Sequence, residues 1–427
     1  MKKTMNEDFL HYVWKFQLLS IHDLKTTTKE SLLILKTGIH NHNSGPDFLN
    51  AQVKIENQLW VGNIEIHLKS SDWYVHNHEL DPNYDAVILH VVWEDDSTIF
   101  MRNNMPLPVL ILKDFVFNSA LNNYRNLFSA KQRWISCENE IHSIDSFIFD
   151  NWKERLFFER LERKSNEMKE ILVANKNDFE AVLFKLLAKN FGLKVNGEIF
   201  LSLANSFDFS ILRRVRSDEN KLAALLFGQS GFLEETIEDI YHQQLKKEFL
   251  YLKHKYKLSP ISNNQFSFFR MRPPNFPTIR IAQLISLYHL HQSLFSKLIK
   301  TQTLKDSYSL FNVNVNLFWN THYTFHKTVS FSSKKLTKQF INLVLINTII
   351  PLKLLYHKRR GDVNEHDFLA FFKKIKPEKN SIISKFNDLK INSKSVLDTQ
   401  ALLELKNNYC AKKLCLQCAI GNHLLQK

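Results

Sequence analysis

Residues 45–69 read GPDFLNAQVKIENQLWVGNIEIHLK, and this stretch decides the predicted fold. Its first half has apolar side chains at every second position, namely Leu49, Ala51, Val53 and Ile55. Its second half repeats the alternation, with the apolar Ile64, Ile66 and Leu68 separated by the polar Glu65, His67 and Lys69. A period of two is typical of a strand with one buried face, and the short connection Asn57-Gln58 predicts a β-hairpin.

The segments on either side of this hairpin complete an α/β unit. Residues 6–19 have apolar side chains at every third or fourth position, which predicts an amphipathic helix. Residues 31–35 form a short apolar run that is typical of a strand. Residues 86–93 (AVILHVVW) are nearly all apolar, as in a central strand covered on both faces. We therefore predict a small mixed-sheet head over residues 1–115.

The rest of the chain has the periodicity of helices. A long amphipathic helix is predicted from Ser146 to Ala174, and Asp178 is the expected N-cap of the helix that follows. Further helices are predicted at residues 234–257, 277–300, 335–357 and 397–409. The predicted fold class is α+β, with a mainly α-helical body over residues 116–427 that ends in a cluster of cysteines.

The composition is that of a globular protein, with 44% hydrophobic and 23% charged residues in a chain of 427. The first residues lack the apolar core of a signal peptide. The most apolar stretch, residues 340–356, is interrupted by Asn, Pro and Lys, so we expect a buried helix and no membrane span. These features predict a soluble cytoplasmic protein.

Charge is distributed unevenly along the chain. Residues 1–115 hold 10 Lys and Arg against 15 Asp and Glu, whereas the remainder holds 47 against 28. An acidic head favours binding of a divalent cation, and a basic body favours a polyanion such as nucleic acid. A solvated lysine-rich surface would have the same composition.

The candidate chemistry is concentrated in the head, where six of the 18 histidines fall between residues 40 and 90. Side chains two apart in a strand share a face, so Glu65, His67 and Lys69 project together. Asp47 stands at the start of the preceding strand, where the hairpin can place it beside Glu65. Two carboxylates next to a base form a site for Mg²⁺ or Mn²⁺ and an activated water.

These residues resemble the motif of the PD-(D/E)XK nuclease superfamily. Pro46-Asp47 matches its Pro-Asp before one strand, and Glu65-Ile66-His67 matches its acidic-x-Lys triplet on the next, with His67 in place of Lys. Glu7 on the first helix matches the helical Glu of many members. The resemblance covers the predicted head and implies that Asp47 and Glu65 hold the metal, with His67 or Lys69 polarising the attacking water.

Over nearly its full length, the chain also resembles an uncharacterised bacterial family of unknown function. The segments that carry this likeness are EDFLHYVW, SGPDF, GNIEIHLKSSDW, residues 76–92 and CLQCAIG. This resemblance implies no particular activity.

The sequence leaves two other functions open. His76 and His78 have the spacing of paired histidines that bind Fe²⁺, Mn²⁺ or Zn²⁺ from one strand face, which would suit a His-metal enzyme acting on small molecules. They would equally serve to support the metal ligands or to contact phosphate. The other function is that of a non-catalytic nucleic-acid-binding or scaffold protein with a nuclease-like fold, which His67 in place of Lys favours.

The cysteines indicate a second metal site. Cys410, Cys415 and Cys418 have C-x₄-C-x₂-C spacing, and the remaining cysteine is Cys137. A tetrahedral Zn²⁺ or a [4Fe–4S] cluster needs four ligands, so either Cys137 or His423 is expected to join the three. The arrangement is similar to that of certain iron–sulfur nucleases, although their remote cysteine precedes the nuclease motif. The alternative is that the cysteines are ordinary buried residues.

A loop in the body combines basic and aromatic residues. Its arginines Arg270, Arg272 and Arg280 are interleaved with Phe268, Phe269 and Phe276. Guanidinium groups bind phosphate oxygens and aromatic rings stack on bases, so the loop is a candidate nucleic-acid contact, with internal ion pairs as the alternative. The leading interpretation is a metal-dependent nuclease or nuclease-like DNA-processing protein that hydrolyses phosphodiesters.

Overall fold

The computed structural model describes residues 5–128 and 133–427, and the chain divides into two compact units. The first, which we call the sheet unit, consists of Met1–Arg155, Lys379–Asn392 and Leu402–Lys427. The second, the helical unit, consists of Leu156–Glu378 and Ser393–Ala401. The fold is therefore mixed α/β, with a sheet at one end of the sequence and helices through most of the rest.

The sheet unit contains a six-stranded mixed sheet. In chain order its strands are β1 (Leu32–Lys36), β2 (Ile39–His40), β3 (Phe48–Ile55), β4 (Gln58–Lys69), β5 (Val87–Glu94) and β6 (Val109–Ile111). The order across the sheet is β1-β3-β4-β5-β6, and β2 pairs with β3. Strands β3 and β4 form the predicted antiparallel hairpin, whereas β5 is parallel to both β4 and β6. The central position of β5 explains its continuous apolar sequence.

Two irregularities in strand pairing flank the middle of β4, one in each neighbouring strand. Between Phe48 and Ala51, β3 contains one more residue than the facing part of β4, and Asn50 adopts a positive φ of 58° there. On the other side, β5 has an extra residue, Ile88, between the pairs Asn63–Val87 and Ile64–Leu89. Such bulges bend a strand and turn its side chains. Accordingly, Leu49 does not share the buried face of Ala51, and the four residues Ile64–His67 are all buried.

The connection between β4 and β5 carries the short helix α2 (Asp72–Val75) and a 3₁₀ turn at Pro82–Tyr84. It packs on the sheet through a hydrophobic cluster that includes Trp73, Tyr84 and Val92. This packing holds His76 and His78, which lie between the two helical turns, over the ends of β4 and β5.

The remaining helices of the sheet unit are α1 (Glu7–Phe16), α3 (Asn118–Leu127), α16 (Ser381–Asp388) and α18 (Ala419–Leu425). Helix α1 buries Phe9, Leu10 and Val13, which confirms the predicted amphipathic pattern. The C-terminal helix α18 returns to α1, since the Tyr12 hydroxyl donates to the Asn422 carbonyl oxygen at 3.3 Å.

The predicted boundary at residue 115 differs from the boundary in the structure. The sheet unit extends to Arg155 and takes in the C-terminal tail, where Lys406 Nζ donates to the Trp134 carbonyl oxygen at 2.7 Å. Local periodicity identifies helices correctly but contains no information on which distant segments pack together. The cysteine-containing tail therefore belongs with the predicted head and not with the helical body.

The helical unit contains most of the predicted helices. Helix α4 (Ser146–Ala174) has the predicted bounds and crosses the division at Arg155. The Asp178 carboxylate accepts from Glu180 N and Ala181 N, as expected for the N-cap of the next helix. The others are α5 (Phe179–Phe191), α6 (Leu193–Asn205), α7 (Phe209–Val215), α8 (Glu219–Gln229), α9 (Ile240–Tyr256), α10 (Pro277–Leu290), α11 (Leu294–Lys300), α12 (Leu304–Leu310), α13 (Lys338–Val344), α14 (Ile350–Arg360), α15 (Glu365–Lys373) and α17 (Val396–Glu404).

One helical stretch in the described part of the chain, Lys338–Arg360, is long and apolar enough to cross a membrane by length and composition. However, 67% of its most apolar window is buried within the protein. This is the behaviour of a core helix, as predicted for residues 340–356.

Gly62 provides a test of the close approach of β4 to β5. A Cβ atom at this position would lie 2.4 Å from Ile88 Cγ2 and 2.5 Å from the Ala86 carbonyl oxygen. We expect Gly62→Ala to lower the free energy of unfolding by about 1–3 kcal/mol, because backbone must move to admit the methyl group. Val61→Ala on the same strand, where the side chain is 60% exposed, should cost only about 0.5 kcal/mol. Equal losses in urea denaturation would contradict this packing.

Candidate metal centre and adjoining basic cleft

Asp47 and Glu65 are joined by two backbone hydrogen bonds. Asp47 N donates to Glu65 Oε2 at 3.1 Å, and Ile66 N donates to Asp47 Oδ2 at 2.9 Å. Each carboxylate thus binds the backbone of the strand that carries the other, which fixes both between β3 and β4. Burial, together with the neighbouring Asp47 charge, raises the pKa of Glu65 to about 9.

The second oxygen of Glu65 faces a group of histidines. Glu65 Oε1 lies 3.4 Å from His67 Nε2 and 3.3 Å from His78 Nε2. His76 Nδ1 lies 3.1 Å from His67 Nε2. The three histidines each direct one ring nitrogen to a common point, with these atoms within 4.8 Å of one another. We call Glu65, His67, His76 and His78 the His-Glu cluster.

A fourth histidine, His90, forms a hydrogen bond with the other ring nitrogen of His67. His67 Nδ1 lies 2.9 Å from Nε2 of His90, which is fully buried in β5. Burial and the neighbouring histidines lower the pKa of His67 to about 2, and burial lowers that of His90 to about 3. Both rings are therefore neutral at pH 7. A neutral ring whose far nitrogen is fixed by a hydrogen bond is the usual form of a metal-ligating histidine.

The buried ring of His78 has unused hydrogen-bonding capacity, which indicates that it binds an ion. Its ring stacks on Tyr84 at 3.7 Å between centroids, and its side chain is only 9% exposed. Neither of its ring nitrogens has a hydrogen-bond partner among the described residues. A buried imidazole whose one close polar contact, from Nε2 to Glu65 Oε1 at 3.3 Å, is not aligned as a hydrogen bond costs free energy unless something else binds it. A cation between His78 and Glu65 would satisfy this requirement.

The spacing within the His-Glu cluster is that of a metal site. Metal–nitrogen and metal–oxygen bonds of about 2.1 Å place neighbouring ligand atoms about 3.0–3.4 Å apart in octahedral or tetrahedral geometry. Three separations in the cluster, of 3.1, 3.3 and 3.4 Å, fall within this range, and the three histidine nitrogens lie within 4.8 Å of one another, so a small movement of the rings would complete the coordination. The cluster therefore has the donor atoms and the geometry to hold one divalent cation.

On the other side of Asp47 lies His11, which the sequence interpretation missed. His11 Nε2 is 3.3 Å from Asp47 Oδ2. Burial opposes protonation of His11, but the Asp47 carboxylate outweighs it and raises the pKa of the ring. Glu7, one turn earlier on α1, has its pKa raised to about 7 by burial. The four-residue spacing of Glu7 and His11 on one helical face was the available signal.

His11 also lines a cleft of about 1170 Å³ within the sheet unit. Five of its lining residues are basic, and the single acidic one is Asp8. The basic residues are Lys15, Arg125, Arg155, Lys412 and Lys413. The exposed ring of Phe16 and the imidazoles of His40 and His42 also line it. Cations and rings in one concave surface suit a polyanion with stacking groups, such as nucleic acid.

Lys69 is not part of the His-Glu cluster. Its ammonium lies 3.7 Å from Asp96 Oδ2, and its side chain is 54% exposed. Lys69 is the last residue of β4, and Asp96 follows the end of the parallel strand β5. The two side chains therefore meet at the C-terminal ends of these two parallel strands. This position leaves His67 as the candidate nearer to Glu65.

The three arginines of the loop have different environments. Arg280 is buried and donates to Gln283 Oε1 at 3.0 Å and Asn275 Oδ1 at 2.6 Å, while its guanidinium lies 4.0 Å from the Phe340 ring centroid. These contacts assign Arg280 to the packing of the helical unit. Arg270 and Arg272 are exposed, with Arg270 over the Phe269 ring. Only these two are placed to meet a phosphate.

The four cysteines lie together in the sheet unit and line one pocket. Cys137, although distant in sequence, joins Cys410, Cys415 and Cys418 there. His423 is absent from the residues that line this pocket. The structure thus brings together the set in which Cys137 is the fourth sulfur.

The model of a family described as a protein of unknown function (DUF2851) matches residues 7–381. The chain belongs to this family. No curated protein and no solved structure matches the chain. The range matched by DUF2851 includes the entire His-Glu cluster, Asp47 and His11, whereas Cys410 and the residues after it lie outside. The predicted likeness to a family of unknown function is confirmed, and the likeness to nucleases stays a prediction.

The buried histidines of this DUF2851 protein predict acid sensitivity. A histidine in the unfolded chain titrates near pH 6.5, whereas His67 and His90 stay neutral in the folded protein. As the pH falls below 6.5, the unfolded chain binds protons that the folded protein does not bind. In the metal-free protein, His67 and His90 should each contribute a loss on the order of 2 kcal/mol of unfolding free energy between pH 6.5 and 5, and Glu65, which stays protonated in the folded protein, acts in the opposite direction.

Urea denaturation of the metal-free protein at several pH values measures this loss. His90→Gln should reduce the dependence on pH even if it lowers stability overall. His22→Gln, at an exposed position of the same unit, should leave the dependence unchanged. The same dependence on pH in wild type and His90→Gln would show that His90 is not held neutral in the folded protein.

Proposed function

We propose that this protein is a metal-dependent phosphodiesterase that acts on nucleic acid. The observation that carries the proposal is the His-Glu cluster, in which three pairs of donor atoms are 3.1–3.4 Å apart and the three histidine nitrogens lie within 4.8 Å of one another. The basic cleft supports the choice of substrate. The two are connected through Asp47, which binds the backbone next to Glu65 on one side and contacts His11 of the cleft on the other.

The donor atoms favour a transition metal over Mg²⁺. Three imidazole nitrogens and one carboxylate oxygen suit Mn²⁺, Fe²⁺ or Zn²⁺, whereas Mg²⁺ prefers oxygen ligands and retains several waters. When bound, such a cation would lower the pKa of a water and neutralise charge on a phosphate. Of Mg²⁺ and Mn²⁺, the cluster therefore favours Mn²⁺, and Fe²⁺ or Zn²⁺ suits the same donor atoms.

Each residue then has a distinct role. Glu65, His67 and His78 are buried and would hold the cation, with the exposed His76 at the edge open to solvent. His90 orients His67 through its 2.9 Å hydrogen bond. Asp47 keeps the Glu65 carboxylate in place through its own backbone N–H. His11 faces both Asp47 and the cleft, so it is positioned to exchange a proton with a substrate or leaving group.

The order of elements in the sheet unit supports the likeness to PD-(D/E)XK nucleases. Helix α1 is followed by three strands of the main sheet, β1, β3 and β4, then by a helical connection and the parallel strand β5. Two features depart from that pattern. The connecting helix α2 has only four residues, and histidines occupy the space that a lysine would share with the carboxylates. We infer a nuclease-like core with a histidine-rich metal centre.

Cleavage of labelled single- and double-stranded oligonucleotides with Mn²⁺ or Zn²⁺ tests the function. We expect Glu65→Gln and His78→Asn to lower the cleavage rate at least about 100-fold, because each removes a metal ligand while nearly preserving side-chain volume. His22→Asn is the matched control at an exposed histidine and should retain full activity. Lys69→Ala should also retain most of it.

Two results would contradict the proposal. Equal cleavage by wild type and Glu65→Gln would place the active centre elsewhere. Salt-sensitive binding of nucleic acid without cleavage, under any of these metals, would favour the non-catalytic binding protein instead.

The salt dependence of binding shows whether the basic cleft or the arginine loop contacts the nucleic acid. In a Glu65→Gln background, replacing Lys15, Arg125 and Lys412 together by Ala should reduce the slope of log K against log salt by about 2–3, since each lost phosphate contact contributes roughly 0.7–0.9. The control is Arg270→Ala with Arg272→Ala in the helical unit, which should leave the slope unchanged. A change confined to the arginine variant would assign binding to the loop and not to the cleft.

A further inference from the structure

The four cysteines line a second pocket, which has no role in the proposed function. Cys137 and Cys418 are buried, at 8% and 6% exposure, and Cys410 and Cys415 are partly buried. The pocket that they line is otherwise mostly apolar, with Leu127, Leu405, Leu414 and Ile420. Burial, and after it the nearby sulfurs of the other three cysteines, raises the pKa of the Cys137 thiol. All four sulfurs therefore face a shared space.

The backbone of the tail is shaped around these sulfurs. Cys415–Gln417 forms a 3₁₀ turn, and Lys413 just before it has a positive φ of 58°. A Cβ atom at Gly421 would lie only 2.0 Å from the Cys415 carbonyl oxygen. Only glycine lets α18 approach the turn this closely. The spacing of the cysteines in the sequence thus corresponds to a specific local structure and not to a flexible tail.

Hydrogen-bond donors are directed at one sulfur. The backbone N–H groups of Gly421 and Ile420 face Cys418 and moderate the rise that burial causes in its pKa, which reaches about 11. The indole N–H of Trp152 is also beside Cys418, is buried, and makes no hydrogen bond with any of the described residues, so it is available to a bound group. Donors that surround a buried cysteine sulfur are suited to a thiolate bound to a metal, because they stabilise its negative charge.

We propose that Cys137, Cys410, Cys415 and Cys418 ligate a [4Fe–4S] cluster. Binding converts four thiols to thiolates, forms four iron–sulfur bonds and releases four protons. A single Zn²⁺ would require sulfurs about 3.8 Å apart, given Zn–S bonds of about 2.3 Å. In the described part of the chain, the one group of three or more His, Cys, Asp or Glu ligand atoms close enough to share a single ion, within 4.8 Å of one another, is that of the three histidines. Four sulfurs spread around an apolar pocket suit a cluster, in which each binds a different iron.

The cluster would fasten the C-terminal tail to the segment around Cys137. The residues between Cys410 and Cys418 also line the basic cleft, among them Lys412, Lys413 and Gln417. Loss of the cluster should therefore loosen one wall of the cleft, since metal binding to the native state is linked to folding. This assignment does not depend on the phosphodiesterase activity.

Anaerobic reconstitution of the full chain with sulfide and equal amounts of Fe²⁺ and Fe³⁺, which together match the oxidation state of a [4Fe–4S]²⁺ cluster, tests the proposal. We expect absorbance near 400 nm that bleaches with dithionite, and about four iron and four sulfide per chain. Cys137→Ser and Cys415→Ser should each lose most of this absorbance. Ser136→Ala, which alters the same pocket without removing a sulfur, and His423→Ala should retain it.

The iron and sulfide content of the wild type gives a measurement that does not depend on whether the variants fold. One Zn²⁺ per chain without sulfide, or no metal and no colour, would overturn the proposal. A cluster retained in Cys137→Ser but lost in His423→Ala would overturn the assignment of Cys137. Failure of nucleic-acid cleavage would leave the result unaffected, because none of these measurements uses activity.

Discussion

Two hydrogen bonds that link each carboxylate of Asp47 and Glu65 to the strand of the other position the His-Glu cluster. Asp47 N donates to Glu65 Oε2, and Ile66 N donates to Asp47 Oδ2, so each carboxylate is fixed by the other strand. This exchange occurs where β3 and β5 each have a bulge against β4, and the bulges turn Glu65 and His67 into the interior. Without it, Glu65 would lose the constraint that presents its second oxygen to the histidines.

A cation would resolve an electrostatic conflict in this arrangement. Burial and the Asp47 charge disfavour ionisation of Glu65, and burial keeps His67 and His90 neutral. The metal-free protein therefore holds polar groups that are poorly satisfied, including both nitrogens of His78. A divalent cation would favour the ionised carboxylate and accept the imidazole lone pairs. The same groups that cost stability in the empty protein become ligands.

Much of the fold was predictable, because it depends on local patterns. The period-two runs predicted the hairpin, the apolar run predicted the strand β5, and the helical pattern of residues 146–174 predicted α4 with the bounds that the structure has. The bulges at Asn50 and Ile88 were not predictable, since they arise from pairing between strands. For the same reason the sequence suggested Lys69 as a partner of Glu65, whereas its position at the strand end pairs it with Asp96.

In the candidate sites, too, residues that belong to a short motif were predictable, whereas residues that come from distant segments were not. The sequence identified most members of the His-Glu cluster and the cysteines, because each group contains a short spaced motif. It missed His11, and it named Cys137 as the fourth ligand while leaving His423 as a substitute, because both depend on contacts between distant segments.

Anomalous diffraction from crystals soaked in Mn²⁺ tests the metal centre most directly. We predict a peak at the manganese edge about 2.1–2.3 Å from Glu65 Oε1, His67 Nε2 and His78 Nε2. No peak among these atoms at saturating Mn²⁺, or a peak elsewhere in the protein, would contradict the account.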